Sequence, residues 1–318
     1  RSPIIAGSCG LTSDVEKMVE MEKAGVGAVV LKSIFEEQIN EETSGVFKAG
    51  YGMGDAYPEA EDYIKAYIRS NTIQKYVELV RNAKSRLTIP VIASVNCFSG
   101  GEWVSFARQL EEAGADALEL NVFILPVNEF KESVEVENVY FEIVKSIKSQ
   151  IKIPVSVKIS HYFTNLSAFV DKIKAYGANA TTLFNRFYEP DININTLEMG
   201  AASVFSTAAE LRTTLRWTGI LAGKDKRLEI SASTGVHGGE AAVKLLLAGA
   251  TTVQVCSVLY EKGIHVIEDI NNFVGKWMDS KAFKTIEDYR GMLSYSSIEN
   301  PDLYERAQFM KYFSNKQY

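Results

Sequence analysis

Cysteine and histidine are scarce, with three of each in 318 residues. Cys9, Cys97 and Cys256 are too few and too scattered to frame disulfides or a zinc cluster, and their odd number points to reduced thiols. His161, His237 and His265 share no metal-ligand spacing, which argues against a metal centre. There is no surplus of positive charge. Lys plus Arg number 34 against 40 Asp plus Glu, a formal charge of −6, so the surface is not built to hold DNA or RNA. There is no long apolar run either. The longest stretch, Leu245 to Tyr260, carries Thr, Gln and Ser between Lys244 and Glu261, too short and too polar for a bilayer. No signal peptide is visible, and a cytoplasmic protein without membrane or nucleic-acid partners is expected. The chain opens on Arg1-Ser2-Pro3 and runs at once into strand-like Ile4-Ile5-Ala6, so the native N-terminus is expected to have been trimmed or to lie outside it.

What is present is ordinary globular composition, 46% apolar and 23% charged, at a length that allows two domains or one large barrel. A motif repeats along it. Four times a helical pattern ends in a small-residue turn and an apolar run follows: Ala24-Gly25-Val26-Gly27, Ala113-Gly114-Ala115-Asp116, Tyr176-Gly177-Ala178-Asn179 and Ala248-Gly249-Ala250-Thr251. Each first Gly stands where a helix takes a left-handed C-terminal cap. The runs after them read as strands covered on both faces, hence a parallel sheet. Ile89-Pro90-Val91 and Ile153-Pro154-Val155 open two more strands, since Pro is tolerated at a strand's first residue. Pro3 to Ala6 and Leu228 to Ala232 bring the count to about eight.

Helices are expected over 13–24, 60–85, 101–113, 138–149, 165–176, 206–221, 238–248 and 258–277, with capping boxes at Ser13-Asp14-Val15-Glu16 and Ser99-Gly100-Gly101-Glu102. This alternation predicts an α/β protein, a (β/α)8 TIM barrel forming a single domain over 1–318, with 278–318 as an extension packing on it. The rival, a doubly wound open sheet, should carry Gly-x-Gly-x-x-Gly after its first strand, and none is present. Long connections at 34–59, 122–137 and 186–205 follow strands, on the face where barrel active sites form.

The strands end, in order, on Gly7-Ser8-Cys9, Lys32-Ser33, Ser94 and Asn96, Asn121, Lys158, Asn185, Ser233-Thr234-Gly235 and Cys256-Ser257. No Asp or Glu stands in that set. Two lysines closing apolar strands imply a bound anion or an electron-rich ring, although Lys32 read alone also suits a surface position. Lys158 suits a Schiff-base aldolase as well. The turns at Ser233 to Glu240 and at Cys256-Ser257 lie after the seventh and eighth strands, where barrels hold phosphate, or else they serve only as tight turns. Asn121 and Asn185 either bind a ligand or cap loops. The cysteines read as inert small residues sooner than as nucleophiles. Arg186 suits a carboxylate or phosphate, with a salt bridge to Glu189 or Asp191 as the alternative.

Together these features resemble the dihydroorotate dehydrogenases, FMN-dependent barrel enzymes of pyrimidine synthesis, and among them the soluble class 1 branch. The resemblance spans nearly the whole chain. It rests on Ala24-Gly25-Val26-Gly27-Ala28-Val29-Val30-Leu31-Lys32-Ser33, Gly52-Met53-Gly54, Ala117-Leu118-Glu119-Leu120-Asn121-Val122, Val157-Lys158-Ile159-Ser160-His161-Tyr162-Phe163, the run from Gly249 to Gly263, and the tail Lys284 to Leu293. It implies an oxidoreductase acting on a CH–CH group, with FMN as cofactor and a homodimer as the assembly. Gly7 and Ser8 would lie against the flavin. Lys32, Ser33 and Lys158 would contact its ring and ribityl chain, where positive charge stabilises reduced flavin. Asn96, Asn121 and Asn185 would bond flavin or substrate, and Thr234, Gly235, Cys256 and Ser257 would hold the phosphate. Substrate would meet Tyr51, Met53, Gly54, Asn185 and Arg186.

The departures are as specific. The family's Glu-Leu-Asn-Val is followed by a segment whose Cys or Ser removes the C5 proton while hydride leaves C6. Here that segment reads Phe123-Ile124-Leu125-Pro126. Ile124 stands at the base's position and takes no proton, and Pro126 replaces a substrate-binding Asn. Tyr51 and Arg186 replace an Asn and a Ser, and Thr234 and Cys256 stand where Gly is usual. The flavin half of the site is intact in sequence, while the substrate half is rebuilt. Three readings follow: a family oxidoreductase on dihydroorotate or another small acid; a non-redox phosphate-binding aldolase or isomerase using Lys158; and a flavin-binding protein without turnover. Substitute bases would be Tyr51, Cys97 or Tyr162. The electron acceptor stays open among fumarate, a quinone, a partner protein and oxygen.

Overall fold

The computed structural model describes residues 2–35, 58–96, 100–122, 124–224 and 228–306, with the backbone alone described at 35, 58–69 and 100–103. Eight strands close into a parallel ring: β1 (Ile4–Ala6), β2 (Ala28–Val30), β4 (Val91–Asn96), β5 (Ala117–Asn121), β6 (Val155–Ile159), β7 (Ala180–Leu183), β10 (Glu229–Ala232) and β11 (Thr252–Val255). The ring shuts where β1 pairs with β11, Ala6 opposite Val255, and where β2 pairs with β4. β3 (Ile34–Phe35) prolongs the second position by pairing with the end of β4. This is the expected (β/α)8 barrel.

Its helices arise as the sequence indicates. Gly25, Gly114, Gly177 and Gly249 all take left-handed φ between 90° and 116° and turn the chain into the next strand. Asp14, one residue past the expected Ser13, caps the first helix, its carboxylate accepting from the N–H groups of Glu16 and Lys17. Ser13 instead donates to the carbonyl of Gly10. The single helix expected over 258–277 is two, Ser257–Lys262 and Val266–Ser280, because Gly263 at φ 85° breaks it. Connection 186–205 contains an antiparallel hairpin, β8 (Pro190–Asn193) with β9 (Glu198–Ala201), exposed throughout.

Among its described residues the tail carries a 3₁₀ turn (Ile286–Asp288) and a short helix (Asp302–Glu305). It is tied down by backbone bonds from Gly291 to Leu246, Leu293 to Leu247 and Tyr295 to Gly219. Tyr289 is fully buried among Trp277 and Phe283. Among the described residues no helix is long and apolar enough to cross a membrane.

The barrel's inside is divided. Ile5, Ala28, Val30 and Ile92 make a small apolar cluster on the β1–β2–β4 side. The opposite side is polar. Because alternate strand residues point inward, β5 contributes Glu119 and Asn121, β6 Ser156 and Lys158, β7 Thr182 and β11 Gln254. The register sets Ser94, Glu119 and Ser156 abreast, with Asn121 beside Lys158 one step nearer the C-terminal end.

Candidate functional site

Glu119 is the centre of the polar half. It is 1% exposed, and Thr182 Oγ1 and Gln254 Nε2 donate to its Oε2 at 3.0 and 2.8 Å. Its Oε1 lies 3.6 Å from Lys158 Nζ, a charge contact beyond hydrogen-bond length. Lys158 is itself 8% exposed, so the carboxylate is the counter-ion that permits a lysine at this depth. Sequence reading placed no acid in the set because it considered only residues at strand ends. The available signal was a charged residue inside the otherwise apolar Ala117-Leu118-Glu119-Leu120.

Above this pair opens a cavity of about 190 Å³, lined by Gly7, Ser8, Lys158, Asn185, Gln254 and the loops 233–236 and 256–257. Each wall has a local cause. The extended strand end at Gly7 leaves only 3.2 Å between a would-be Cβ and Gln254 Oε1, so a side chain here would push on the barrel's own polar floor. Ser8, Ser33 and Ser94 form a hydroxyl chain, Ser8 to Ser33 at 3.0 Å and Ser33 to Ser94 at 2.7 Å. Asn185 Nδ2 donates to Asn121 Oδ1 at 2.6 Å, joining the ends of β5 and β7. The loop after β10 turns through two left-handed residues, Thr234 at φ 77° and Gly235 at φ 79°. Thr234 is held there by its hydroxyl, which donates to the carbonyl of Phe184.

Gly235 has no room for a Cβ, which would sit 2.2 Å from Leu211 N. Gly235→Ala is expected to lower stability by about 2 kcal/mol from strain and crowding together, read as a shifted urea midpoint. Ser206, which sequence reading missed, seals the same wall. Its N–H and hydroxyl donate to Ser257 Oγ, and its hydroxyl also meets His237 Nε2 at 3.3 Å. His237 Nδ1 in turn meets Glu261 at 3.2 Å. Nothing in the local sequence around Ser206 marks it, since it comes from the long connection folding back over the mouth.

Other expected residues are placed elsewhere. Lys32 is exposed and does not line the cavity. Arg186 borders the cavity, but its guanidinium is committed: to Glu210 at 3.1 Å, Glu189 at 2.9 Å, and the carbonyls of Ser203 and Val204. It closes the 186–205 connection on itself. Arg186→Ala is expected to loosen the hairpin and raise limited proteolysis within 188–205 several-fold, seen as new fragments while the barrel persists. Ile124 packs half-buried against the core, facing a separate cavity of about 290 Å³ with Pro126, Ser160, Tyr162 and Phe163. Tyr140 lines it too. Burial raises its hydroxyl to about 12. His161, which the same pull of burial holds below its usual value, lines a third cavity beside Asn185 and Arg186. Tyr51, Met53, Gly54 and Cys97 lie outside the described residues.

The donor set suits a flavin phosphate ester. Asn96 Oδ1 and Gln254 Oε1 are buried acceptors with no partner among the described residues, and buried polar atoms normally have one. Gln254 lines the cavity floor with Lys158 beside it, and Asn96 ends β4 on the same face of the barrel, a set matching a ring that presents both N–H and carbonyl edges. The 233–236 and 256–257 loops occupy the barrel's customary phosphate position.

Comparison with known proteins agrees with this geometry. A family model described as dihydroorotate dehydrogenase matches residues 2–278. A protein of Thermoplasma acidophilum named "Dihydroorotate dehydrogenase B (NAD(+)), catalytic subunit" is 29% identical over 297 residues, 92% of this chain and 94% of the relative. Proteins of the same name are 27% identical in Thermoplasma volcanium and 26% identical in Pyrococcus furiosus, with the same shares covered. With a closed barrel, a buried lysine at its mouth and a match running almost end to end, the chain belongs to the dihydroorotate dehydrogenase family.

Proposed function

We propose that the protein is an FMN-dependent oxidoreductase that oxidises a CH–CH bond of a small acid, dihydroorotate to orotate being the reaction its family points to. The observation that carries this is Lys158, a cation held over Glu119 in the barrel mouth with its remaining N–H groups directed at no other described side chain. Gly7, Ser8, Asn96, Gln254 and Lys158 would hold the ring. Ser206, Thr234, Gly235, Cys256 and Ser257 would hold the phosphate. FMN, when bound, supplies the two-electron acceptor. The chain's own residues do the rest. Asn121 and Asn185, locked amide to amide, are pre-set to orient a polar substrate edge. Lys158 offsets negative charge that develops beside it.

A second reading, a different small acid as substrate, is favoured by Ile124, an apolar side chain packed on the core where the family places its base. One experiment separates the two. The purified protein should be yellow and should lose its flavin absorbance when dihydroorotate is added without oxygen. Bleaching by other small carboxylic acids but not by dihydroorotate selects the second reading, and a protein that takes up no FMN on titration overturns both. The relatives are named catalytic subunits of an NAD(+) enzyme, so a second, electron-accepting subunit is the first acceptor to test. We also take the protein to be a cytoplasmic homodimer built on one barrel domain. In support, Ile192, Ile194, Leu197 and Met199 stand exposed along the hairpin, a patch of the kind subunits cover.

A further inference from the structure

Two cysteines meet at the seam of the barrel. β1 and β11 are the pair that closes the ring, and the chain leaves β1 through Gly7-Ser8-Cys9 and β11 through Cys256. Gly7 N–H still bonds the carbonyl of Val255, which keeps the two exits side by side. Cys256 Sγ lies 3.9 Å from the carbonyl of Ser8, the residue next to Cys9, which sets the two cysteines side by side. Both are partly accessible. Cys9 is surrounded by donors: the Cys256 thiol, the backbone of Leu11 and Thr12, and the hydroxyl of Tyr260. Together they hold its thiol down at about 6 against the pull of burial. Cys256 is pushed the other way, by giving its proton to that bond and by burial. The pair is therefore polarised, Cys9 toward thiolate and Cys256 toward thiol.

We propose that Cys9 and Cys256 form an oxidation site: Cys9 attacks a hydroperoxide and Cys256 resolves the product into a reversible disulfide. In the first step the Cys9 thiolate bonds the terminal peroxide oxygen, the O–O bond breaks, and the leaving oxygen takes a proton from solvent. Cys9 is now a sulfenic acid. In the second step the Cys256 sulfur bonds the Cys9 sulfur, the S–O bond breaks, and the departing hydroxide takes the Cys256 proton as water. The dithiol loses two electrons and the peroxide gains them. The bond would tie the loop after the first strand to the one after the eighth. Ser8, Cys256 and Ser257 on those loops line the cavity, so oxidation acts on the same wall that holds the candidate phosphate site.

The test uses the full chain in a Cys97→Ser background, with hydrogen peroxide as the probe. Peptide mass analysis after blocking free thiols should find Cys9 joined to Cys256, reversed by dithiothreitol. Cys256→Ser should accumulate sulfenic acid on Cys9, trapped by dimedone, and Cys9→Ser should leave Cys256 unreacted. On the unsubstituted pair, alkylation of Cys9 by iodoacetamide should rise with pH through about 6, well below the roughly 8.5 of a free thiol. Disulfides only between chains, or alkylation of Cys9 that rises only near the free-thiol value, overturns the proposal. So does peroxide consumption that is equal with and without Cys9.

Discussion

Replacing Lys158 with methionine is expected to slow flavin reduction on the order of 100-fold and to destabilise the fold at the same time. The rate effect follows from position. Lys158 lines the cavity as a cation that, unlike Arg186, is not bound up with a loop of its own, and removal of one preorganised electrostatic partner of a reacting centre costs about 10²-fold or more in rate. The stability effect follows from burial. Methionine fills the space of the lysine stem but leaves Glu119, 1% exposed, without the charge that sits 3.6 Å from its Oε1. A buried charge stripped of its partner costs about 3 kcal/mol. The two effects separate in a second variant. Lys158→Met combined with Glu119→Gln removes the stranded charge while Thr182 and Gln254 still have an oxygen to donate to, so the urea midpoint should recover most of its loss. The flavin-reduction rate, followed by stopped flow at saturating FMN, should stay low. A single variant as stable as the parent would show that the two groups are not energetically coupled. A double variant that regains the rate would remove Lys158 from the chemistry.

The barrel was legible because its signals are local and repeated. The four helix-to-strand turns at Gly25, Gly114, Gly177 and Gly249 need left-handed backbone, and a glycine in the right place of a periodic pattern says so without knowledge of the rest of the chain. The strand-end residues were legible for the same reason, since in a parallel barrel every strand points its C-terminal end at one face. What escaped notice depends on contacts across the barrel. Glu119 is explained only by Thr182, Gln254 and Lys158, which come from three other strands. Ser206 is explained only when a connection folds back to meet Ser257. Arg186 shows the limit from the other side. Sequence allowed it to bind an anion or to pair with Glu189, and which one holds is decided by Glu210 and two backbone carbonyls that lie 17 to 24 residues further on. The break at Gly263 was missed because glycine inside a helical pattern is tolerated as often as it ends one.

Putting a proton acceptor at position 124 is the sharpest test of what the substrate half of the site now does. Ile124→Cys and Ile124→Ser restore the residue types that the resemblance assigns to the base. Position 124 follows β5 by three residues, close in sequence to Asn121, which lies in the mouth opposite Lys158 in the register. The side chain is half-buried, so either change costs some packing, about 1 kcal/mol of lost apolar burial, which the barrel core readily tolerates. In return, a positioned general base contributes about 10²- to 10⁴-fold. The lower end is expected here because the cavity that Ile124 faces, shared with Pro126, Tyr140, Ser160, Tyr162 and Phe163, is built around an apolar side chain at this position and not around an acid or base. Anaerobic flavin reduction by dihydroorotate should therefore rise on the order of 100-fold in Ile124→Cys. The pH profile supplies the sign. A thiol takes a proton only as thiolate, so the gain should be small at low pH and should grow as pH rises through about 8.5, the ordinary cysteine value. Ile124→Ser, with no ionisation in that range, should show a smaller gain without the step. If the parent already reduces its flavin with dihydroorotate and neither variant changes the rate, proton removal has moved to another group, with His161 beside Asn185 the first to replace. If the parent is inert to dihydroorotate and both variants stay inert, the rebuilt loop serves a different acid, and the flavin-bleaching screen becomes the route to it.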